Sequence, residues 1–166
     1  MRYILIIISV LLIIFAVSFF AFKGSDKVPS AGEPEEQMLS EEFNIKASFL
    51  IFTNGTKRDF SASRYHNLTD YVYLVTENPT TIHAKKKGVT WGDFFGTLPM
   101  KLTENCLTTG TGQLFCSNGF ETLKFYLNGV KTEGVLGKEI KDGDKFLISY
   151  GEDNEEEIKK QLNQIP

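Results

Sequence analysis

The first residues of the chain form an apolar run that suits a membrane-spanning helix and not a globular domain. No charged residue occurs from Tyr3 to Phe22, and roughly 20 helical residues span the hydrocarbon core of a bilayer. A cleaved signal peptide usually has a shorter apolar region that ends in small residues, whereas Phe19, Phe20 and Phe22 end this one. We therefore expect residues 1–23 to be an uncleaved signal anchor, with a cleaved signal peptide as the alternative.

The flanking charges predict the orientation of this transmembrane helix. Arg2 precedes the apolar run, Lys23 and Lys27 follow it, and acidic residues contribute little to the positive-inside rule. Because the N-terminal tail is so short, we expect it to stay in the cytoplasm. The predicted localisation is the cytoplasmic membrane, with one pass through the lipid bilayer at residues 3–22 and an extracytoplasmic C-terminal domain.

Composition divides the rest of the chain. Residues 24–44 are rich in Gly, Ser, Pro and Glu, which is typical of a flexible acidic linker. Residues 45–151 have the apolar content of a globular domain, and residues 152–166 resemble a surface helix. The formal net charge of -3 offers no basic footprint for nucleic acid.

The strand signals in the globular part come with turn signals. Asn54-Gly55 and Asn128-Gly129 each follow an apolar run, and Asn-Gly is the strongest short hairpin signal because both turn positions need positive φ. Residues 70–75 and 80–86 read as strands joined by a turn over Glu77-Asn-Pro-Thr80. Residues 146–150 read as a final buried strand after a turn at Asp142-Gly143.

One short helix is predicted between these strands. Four apolar residues fall at i, i+3, i+4 and i+7, which is one face of a helix: Trp91, Phe94, Phe95 and Leu98. Thr90 and Asp93 match a weak capping box, and Pro99 ends the segment. Gly92 and Gly96 lie on the opposite face, where another backbone can approach. We expect the aromatic face to pack on a sheet.

The C-terminal residues predict a second helix. Asp153 or Asn154 is placed to cap it, acidic residues begin it and lysines follow, in agreement with the helix dipole. A thin apolar stripe of Ile158, Leu162 and Ile165 predicts loose docking or contact with a partner. Together the elements predict an α+β fold, namely a β-grasp-like domain with a mixed sheet, one packed helix and a C-terminal surface helix.

The segment CLTTGTGQLFC contains both cysteines of the chain, Cys106 and Cys116. Pairing them leaves Gly110-Thr-Gly112 as a three-residue hairpin loop, and such loops favour Gly at the last, left-handed position. Cys106 would then lie opposite Cys116, where a non-hydrogen-bonded pair brings the strands close enough for a disulfide. An exported domain keeps such a bond oxidised. We interpret the cysteines as a structural disulfide.

Other chemistries remain as alternatives. Dithiol oxidoreductases place C-x-x-C at a helix start, unlike this spacing. A metal site would need ligands beyond the cysteines, and the chain adds only His66 and His83, of which His83 is a weak candidate. No catalytic motif and no cofactor motif is present, so we predict no catalytic residues and no cofactor.

Two Asn-x-Thr patterns are possible glycosylation sites if the host glycosylates exported proteins. They begin at Asn54 and at Asn67. Asn67 is the better candidate, because Asn54 lies in a predicted tight turn.

Several phrases together resemble a group of poorly characterised archaeal proteins with an N-terminal membrane anchor. They are GVTWGDFFGTL, the cysteine hairpin, LKFYLNG and DGDKFLISYGEDNEEEIKKQLNQIP, and the resemblance covers residues 45–165. Some members are labelled protein-disulfide isomerase, which implies thiol chemistry at Cys106 and Cys116. The last segment is also similar to β-grasp modules of cobalamin carriers.

Many members of this group carry His-x-His phrases, which implies metal binding such as copper. Here Asn44-Ile-Lys-Ala47 replaces one phrase, and Lys85 replaces the partner of His83 in the other. The sequence therefore predicts a membrane-anchored extracytoplasmic binding or accessory module without catalysis, whose protein partner and ligand are unknown. The alternatives are a thiol-disulfide oxidoreductase, resembling protein-disulfide isomerase, and a metal carrier.

Overall fold

A computed structural model describes residues 43–152 and 154–166, which form a mixed α+β domain. The strands of the described part are β1 Ile45–Thr53, β2 Thr56–Lys57, β3 Val72–Val75, β4 Asn78–Ala84, β5 Lys101–Leu102, β6 Cys106–Thr108, β7 Leu114–Cys116, β8 Thr122–Leu127, β9 Val130–Lys131 and β10 Lys145–Gly151. The helices of the same part are α1 Trp91–Thr97 and α2 Glu155–Leu162. Two short 3-10 turns lie at Ser63–Tyr65 and Val135–Gly137.

The larger sheet is mixed and is centred on the first and last strands. Its order is β3-β4-β1-β10-β8-β9, and β2 pairs with the end of β1. β1 and β10 run parallel, with Ser48 opposite Lys145 and Thr53 opposite Tyr150, while the other neighbours are antiparallel. The predicted mixed sheet is confirmed.

Both Asn-Gly turns form as predicted. Asn54 and Asn128 have φ angles of 49° and 53°, and each is followed by a glycine with positive φ. Each dipeptide connects two residues that face each other across the hairpin, Thr53 with Thr56 and Leu127 with Val130. These are the left-handed turns that match strand twist.

The predicted turn over residues 77–80 is wrong in extent. β4 already begins at Asn78, and Val75 pairs with Asn78, so the connection is only Thr76-Glu77. Pro79 is tolerated inside β4 because the pairing of β4 with β1 extends only from Ala84 to Thr81. The missing N–H of Pro79 therefore costs no hydrogen bond to β1.

Helix α1 has the predicted cap and the predicted buried face. The backbone N–H of Asp93 donates to Thr90 Oγ1 at 3.1 Å, and the backbone N–H of Thr90 donates to Asp93 Oδ2 at 2.9 Å. The bond from the Thr90 backbone N–H, and then a bond from the Thr90 hydroxyl to Asp93 Oδ2 at 2.8 Å, lower the pKa of Asp93. Trp91 packs on Phe146 with ring centroids 4.5 Å apart, and Phe94 packs on Phe49 at 5.3 Å. The aromatic helix therefore covers one face of the sheet.

The two glycines of α1 differ in their surroundings. A Cβ on Gly92 would lie 2.8 Å from the backbone carbonyl oxygen of Leu136, whereas a Cβ on Gly96 would meet no described atom within 4 Å. The predicted close approach of a second backbone is thus confirmed at Gly92 and absent at Gly96 within the described residues.

We expect alanine to have opposite effects at these positions. Gly92→Ala should destabilise the domain by about 1–3 kcal/mol, because a backbone atom must move to admit the methyl group. Gly96→Ala should stabilise it by about 0.5–1 kcal/mol, because alanine loses less backbone entropy in a helix. Equilibrium urea unfolding of both variants measures the two effects. Changes in unfolding free energy of the same sign in both variants would contradict this account of α1.

The opposite face of the sheet is covered by α2. Asn154 is the cap, and its Oδ1 accepts from the backbone N–H of Glu157 at 3.1 Å. The apolar stripe packs on residues of β1 and β10 in a second hydrophobic cluster, whose buried members are Leu50, Phe52, Leu147, Ile158 and Ile165. The C-terminal helix predicted to dock loosely thus closes the second face of the sheet.

The N-terminal predictions lie outside the described residues. This holds for the membrane helix at residues 3–22 and for all but the last two residues of the linker at 24–44. In the described part, none of the helices has the length and apolar character needed to cross a membrane.

Candidate functional site

The cysteine hairpin forms as predicted, and its residues pair in the expected register. Cys106 faces Cys116, Leu107 faces Phe115 and Thr108 faces Leu114. The Thr109 backbone N–H donates to the Gln113 carbonyl at 2.9 Å, and Gly112 has a φ of 84°. A disulfide joins the cysteines, whose Cα atoms are 4.1 Å apart. The loop is therefore the predicted three residues, and the bond crosses between two strands.

A small second sheet carries this bond and is attached to the main domain. Its order is β5-β6-β7, and no sequence pattern predicted β5. Leu107 of β6 is fully buried in the main core. The single hydroxyl proton of Tyr150 in β10 is shared between the Cys116 carbonyl, at 3.2 Å, and Glu121 Oε2, at 3.0 Å. The central strand thus holds the disulfide in place.

The tip of the hairpin lies against the segment that follows α1. A Cβ on Gly110 would be 2.6 Å from the Pro99 carbonyl oxygen and 3.5 Å from the Tyr65 hydroxyl oxygen. Contact between backbones this close excludes any side chain at residue 110. Gly110 therefore serves this contact, in addition to the turn role that the sequence suggested.

An apolar cavity with basic residues lies beneath the hairpin tip. Its volume is about 160 Å³. The apolar part of its lining consists of Ile51, Phe60, Tyr65, Met100 and Leu107, and the polar part of Arg58, Asp59, Arg64 and residues 109–111. β1 and β6 supply Ile51 and Leu107, and the other walls come from segments between the strands, including the 3-10 turn and the hairpin tip. We refer to it below as the hairpin cavity.

Arg58 is held by contacts that leave part of its guanidinium group without a partner. Its Nη1 donates to Gln113 Oε1 at 3.2 Å, and its Cζ lies 4.9 Å from the centroid of the Phe115 ring. Its Nε is buried and has no hydrogen-bond partner among the described residues. A buried N–H without a partner is costly, so an acceptor next to Arg58 Nε would lower the free energy of the folded domain.

Arg64 approaches the same cavity from the 3-10 turn. Its Nη2 donates to the Tyr65 hydroxyl at 3.2 Å, and its Cζ lies 4.9 Å from the centroid of the Tyr65 ring. The aromatic ring orients the guanidinium group by a cation–π contact. Hydrogen bonds from Arg64 to a carboxylate do not occur in the described part of the chain.

Asp59 is the acidic residue of the hairpin cavity, and its carboxylate is already engaged by its own loop. The Ser61 backbone N–H donates to Oδ1 at 2.8 Å and the Ser61 hydroxyl donates to Oδ2 at 2.8 Å. These bonds, the backbone one first, lower the pKa of Asp59. The carboxylate therefore stays charged at neutral pH and is satisfied without either arginine.

Arginine is rare in this chain, which makes the position of Arg58 and Arg64 informative. The sequence contains Arg2, Arg58 and Arg64 against fifteen lysines, and both arginines of the described residues line the hairpin cavity. This scarcity was visible in the sequence. That both arginines line the same cavity was not visible in the sequence. Residues 58–65 follow a hairpin, and no local pattern determines the direction in which the chain leaves it.

His83, the weak candidate for a metal ligand, packs against an aromatic side chain of the neighbouring strand. His83 in β4 stacks on Tyr73 with ring centroids 5.5 Å apart. Burial, then Lys46 and Lys85, lower its pKa. The other histidine, His66, is 2.8 Å from the Phe60 carbonyl through Nε2. Within residues 43–152 and 154–166, no group of three or more His, Cys, Asp or Glu side chains is arranged to hold a metal ion.

Both predicted glycosylation sites lie in left-handed turn positions. Asn54 has a φ of 49° and Asn67 a φ of 51°, and both residues are exposed. In the second pattern the Thr69 hydroxyl donates to the Val72 carbonyl. Asn67 is held to β3 by its backbone N–H, which donates to the Leu74 carbonyl at 3.0 Å.

Comparisons of the whole chain with protein-family models, with curated proteins and with solved structures gave no significant match in any of the three. The similarity to archaeal membrane-anchored proteins thus stays a prediction, and function must be argued from the geometry of the domain itself.

Proposed function

We propose that the protein is a membrane-anchored, extracytoplasmic binding module that takes a small ligand into the hairpin cavity. In this proposal residues 3–22 anchor it in the cytoplasmic membrane. The following acidic segment is the linker, and the described domain is the binding part. The observation that carries the proposal is the buried Arg58 Nε without a partner, on a residue that lines an apolar cavity.

The architecture of the domain supports this role. We propose that it is β-grasp-like, on the basis of a central parallel pair, β1 and β10, with antiparallel strands on both sides and the aromatic helix α1 packed across one face of the sheet. Such a scaffold supplies stiffness but no chemistry of its own. Ligand sites are commonly apolar concave sites with a few convergent polar groups, and the hairpin cavity has this composition.

A fragment screen tests whether the hairpin cavity binds small molecules. We expect neutral and charged ring-sized compounds to be detected by nuclear magnetic resonance titration of the full chain. Their shifts should fall on residues of the cavity such as Phe60, Met100 and Leu107. Thr111→Trp places an indole at the cavity wall and should abolish these shifts, whereas Thr132→Trp on another hairpin should not. Shifts found only elsewhere would contradict the proposal.

The alternative function is thiol-disulfide exchange by Cys106 and Cys116. Both cysteines lie in strands and are partly buried, whereas catalytic dithiols occur at helix starts, where the dipole lowers the thiol pKa. Because Tyr150 and Leu107 fix both sides of the hairpin, we interpret the disulfide as a structural bond. This interpretation keeps the cysteines out of the proposed chemistry and leaves them as support for one cavity wall.

We expect this disulfide to resist reduction. Its reduction potential should lie below about -300 mV, as for structural disulfides of secreted proteins, whereas working pairs lie well above that value. Equilibration of the full chain with dithiothreitol buffers, followed by alkylation of free thiols, gives the potential. A value above about -230 mV, which is typical of redox enzymes, would favour the oxidoreductase alternative.

A further inference from the structure

We propose that the ligand of the hairpin cavity is a small organic monoanion, with an apolar body the size of one ring and a single carboxylate head. This inference rests on the proposed binding function and adds the chemical class of the ligand. Three properties of the cavity support it, namely its volume, its charge and the hydrogen-bond donors of the residues that line it.

The volume limits the apolar part of the ligand. The cavity measures about 160 Å³, and an engineered apolar cavity of about 150 Å³ takes up benzene. The side chains of Ile51, Phe60, Met100 and Leu107 form its apolar lining. A single ring or a short branched chain therefore fills the cavity.

The charge of the lining predicts one negative charge on the ligand. Arg58 and Arg64 contribute two positive charges and Asp59 contributes one negative charge, so the lining carries one net positive charge. The protein as a whole has a formal net charge of -3, opposite in sign to the charge of this lining. A monoanion neutralises the site, while a dianion would bring an excess negative charge next to Asp59.

The donors that remain unused suit a carboxylate. Arg58 Nε is buried without a partner among the described residues, and guanidinium groups bind carboxylates through paired N–H donors. The Thr109 and Thr111 hydroxyl oxygens are 3.0 Å apart, and whichever one donates, the other hydroxyl keeps its proton for an acceptor. Arg58, Thr109 and Thr111 all belong to the lining of the hairpin cavity, so a carboxylate bound there has both kinds of donor nearby.

Phenylacetate, phenylacetamide and acetate separate the contributions of charge and apolar body. The amide has nearly the same shape as phenylacetate without the charge, and acetate lacks the ring. We expect phenylacetate to shift resonances of cavity residues in a titration of the full chain, with the other two compounds at least tenfold weaker. Such small ligands bind weakly in absolute terms, so titration by nuclear magnetic resonance is the suitable measurement.

Substitutions assign the charge effect to the two arginines. Arg58→Gln and Arg64→Gln should each weaken phenylacetate binding at least tenfold, and the affinity for phenylacetamide should change little. Arg58→Lys keeps the charge and should retain more binding than Arg58→Gln. The control is Lys85→Gln, which removes an exposed charge outside the cavity and should leave binding unchanged. Unfolding curves of Arg58→Gln exclude loss of the fold as the cause.

The outcomes distinguish this inference from the function on which it rests. Equal binding of phenylacetamide and phenylacetate in the cavity would overturn the monoanion inference and leave the binding module intact. If all three compounds fail while the fragment screen places other ligands in the cavity, the monoanion inference is likewise wrong. If neither experiment yields a shift at a cavity residue, both proposals are overturned.

Discussion

Phe49→Ala should cost the domain about 3–5 kcal/mol of unfolding free energy, the range for truncating a fully buried phenylalanine. Phe49 lies in the middle of β1 with an exposure of 0%. Its ring contacts three others at centroid distances of 5.0, 5.3 and 5.6 Å, those of Phe60, Phe94 and Phe95. Truncation would leave a cavity between the sheet and α1. Since small domains are stable by about 5–15 kcal/mol, this loss would be a large fraction.

Phe120→Ala is the matched control for this prediction. It removes the same atoms from a side chain that is 87% exposed, so its effect should stay within about 0.5 kcal/mol. Trp91, the only tryptophan of the chain, is fully buried beside Phe146 and reports unfolding by fluorescence in urea. Comparable losses in the two variants would contradict the assignment of the aromatic cluster as the core.

Removal of the disulfide should cost about 3 kcal/mol. The bond closes a loop with a sequence separation of 10, and the chain-entropy model assigns about this value to so short a loop. The variant Cys106→Ala/Cys116→Ala should therefore unfold at lower urea concentration than the oxidised protein. The fluorescence of Trp91 gives the midpoint, and the two proteins are compared under identical conditions.

Reduced wild-type protein provides the control for the disulfide. Dithiothreitol breaks the same bond without changing the sequence, so the reduced protein and the double variant should have similar unfolding midpoints. A loss well below about 1 kcal/mol in both would mean that Tyr150 and the buried Leu107 hold the hairpin without the bond. A loss confined to the double variant would instead point to packing of the cysteine side chains.

Much of the fold was predictable because its signals are local. Asn54-Gly55 and Asn128-Gly129 determine their own turns, and Gly112 fixes the loop that sets Cys106 opposite Cys116. The capping residues and spacing of α1 are also contained in a short segment. The turn at residues 77–80 was mispredicted because Pro79 suggests a loop. Pro79 is tolerated because β1 pairs with only the second half of β4, and nothing in the neighbouring residues indicates this.

The candidate site was far less predictable than the elements around it. Arg58, Arg64 and the hairpin tip come from separate segments, and tertiary contacts such as those of Gly110 with Pro99 and of Arg58 with Gln113 bring them around one cavity. From the sequence, the candidate functional residues were those with reactive or metal-binding side chains, namely the cysteines and His83. The structure instead gives the hairpin cavity, with its excess of positive charge, as the candidate site. This cavity depends on tertiary contacts.

The parallel pairing of β1 with β10 has a consequence for how the chain acquires its fold. Ser48 pairs with Lys145, so the central pair of strands cannot form until nearly the whole domain has been synthesised. Contacts between distant residues slow folding, whereas the cysteine hairpin needs only its own loop to close. We therefore expect the covalent cross-link to form on a nascent, still unfolded chain. The wall of the ligand cavity would then be assembled before the sheet that supports it.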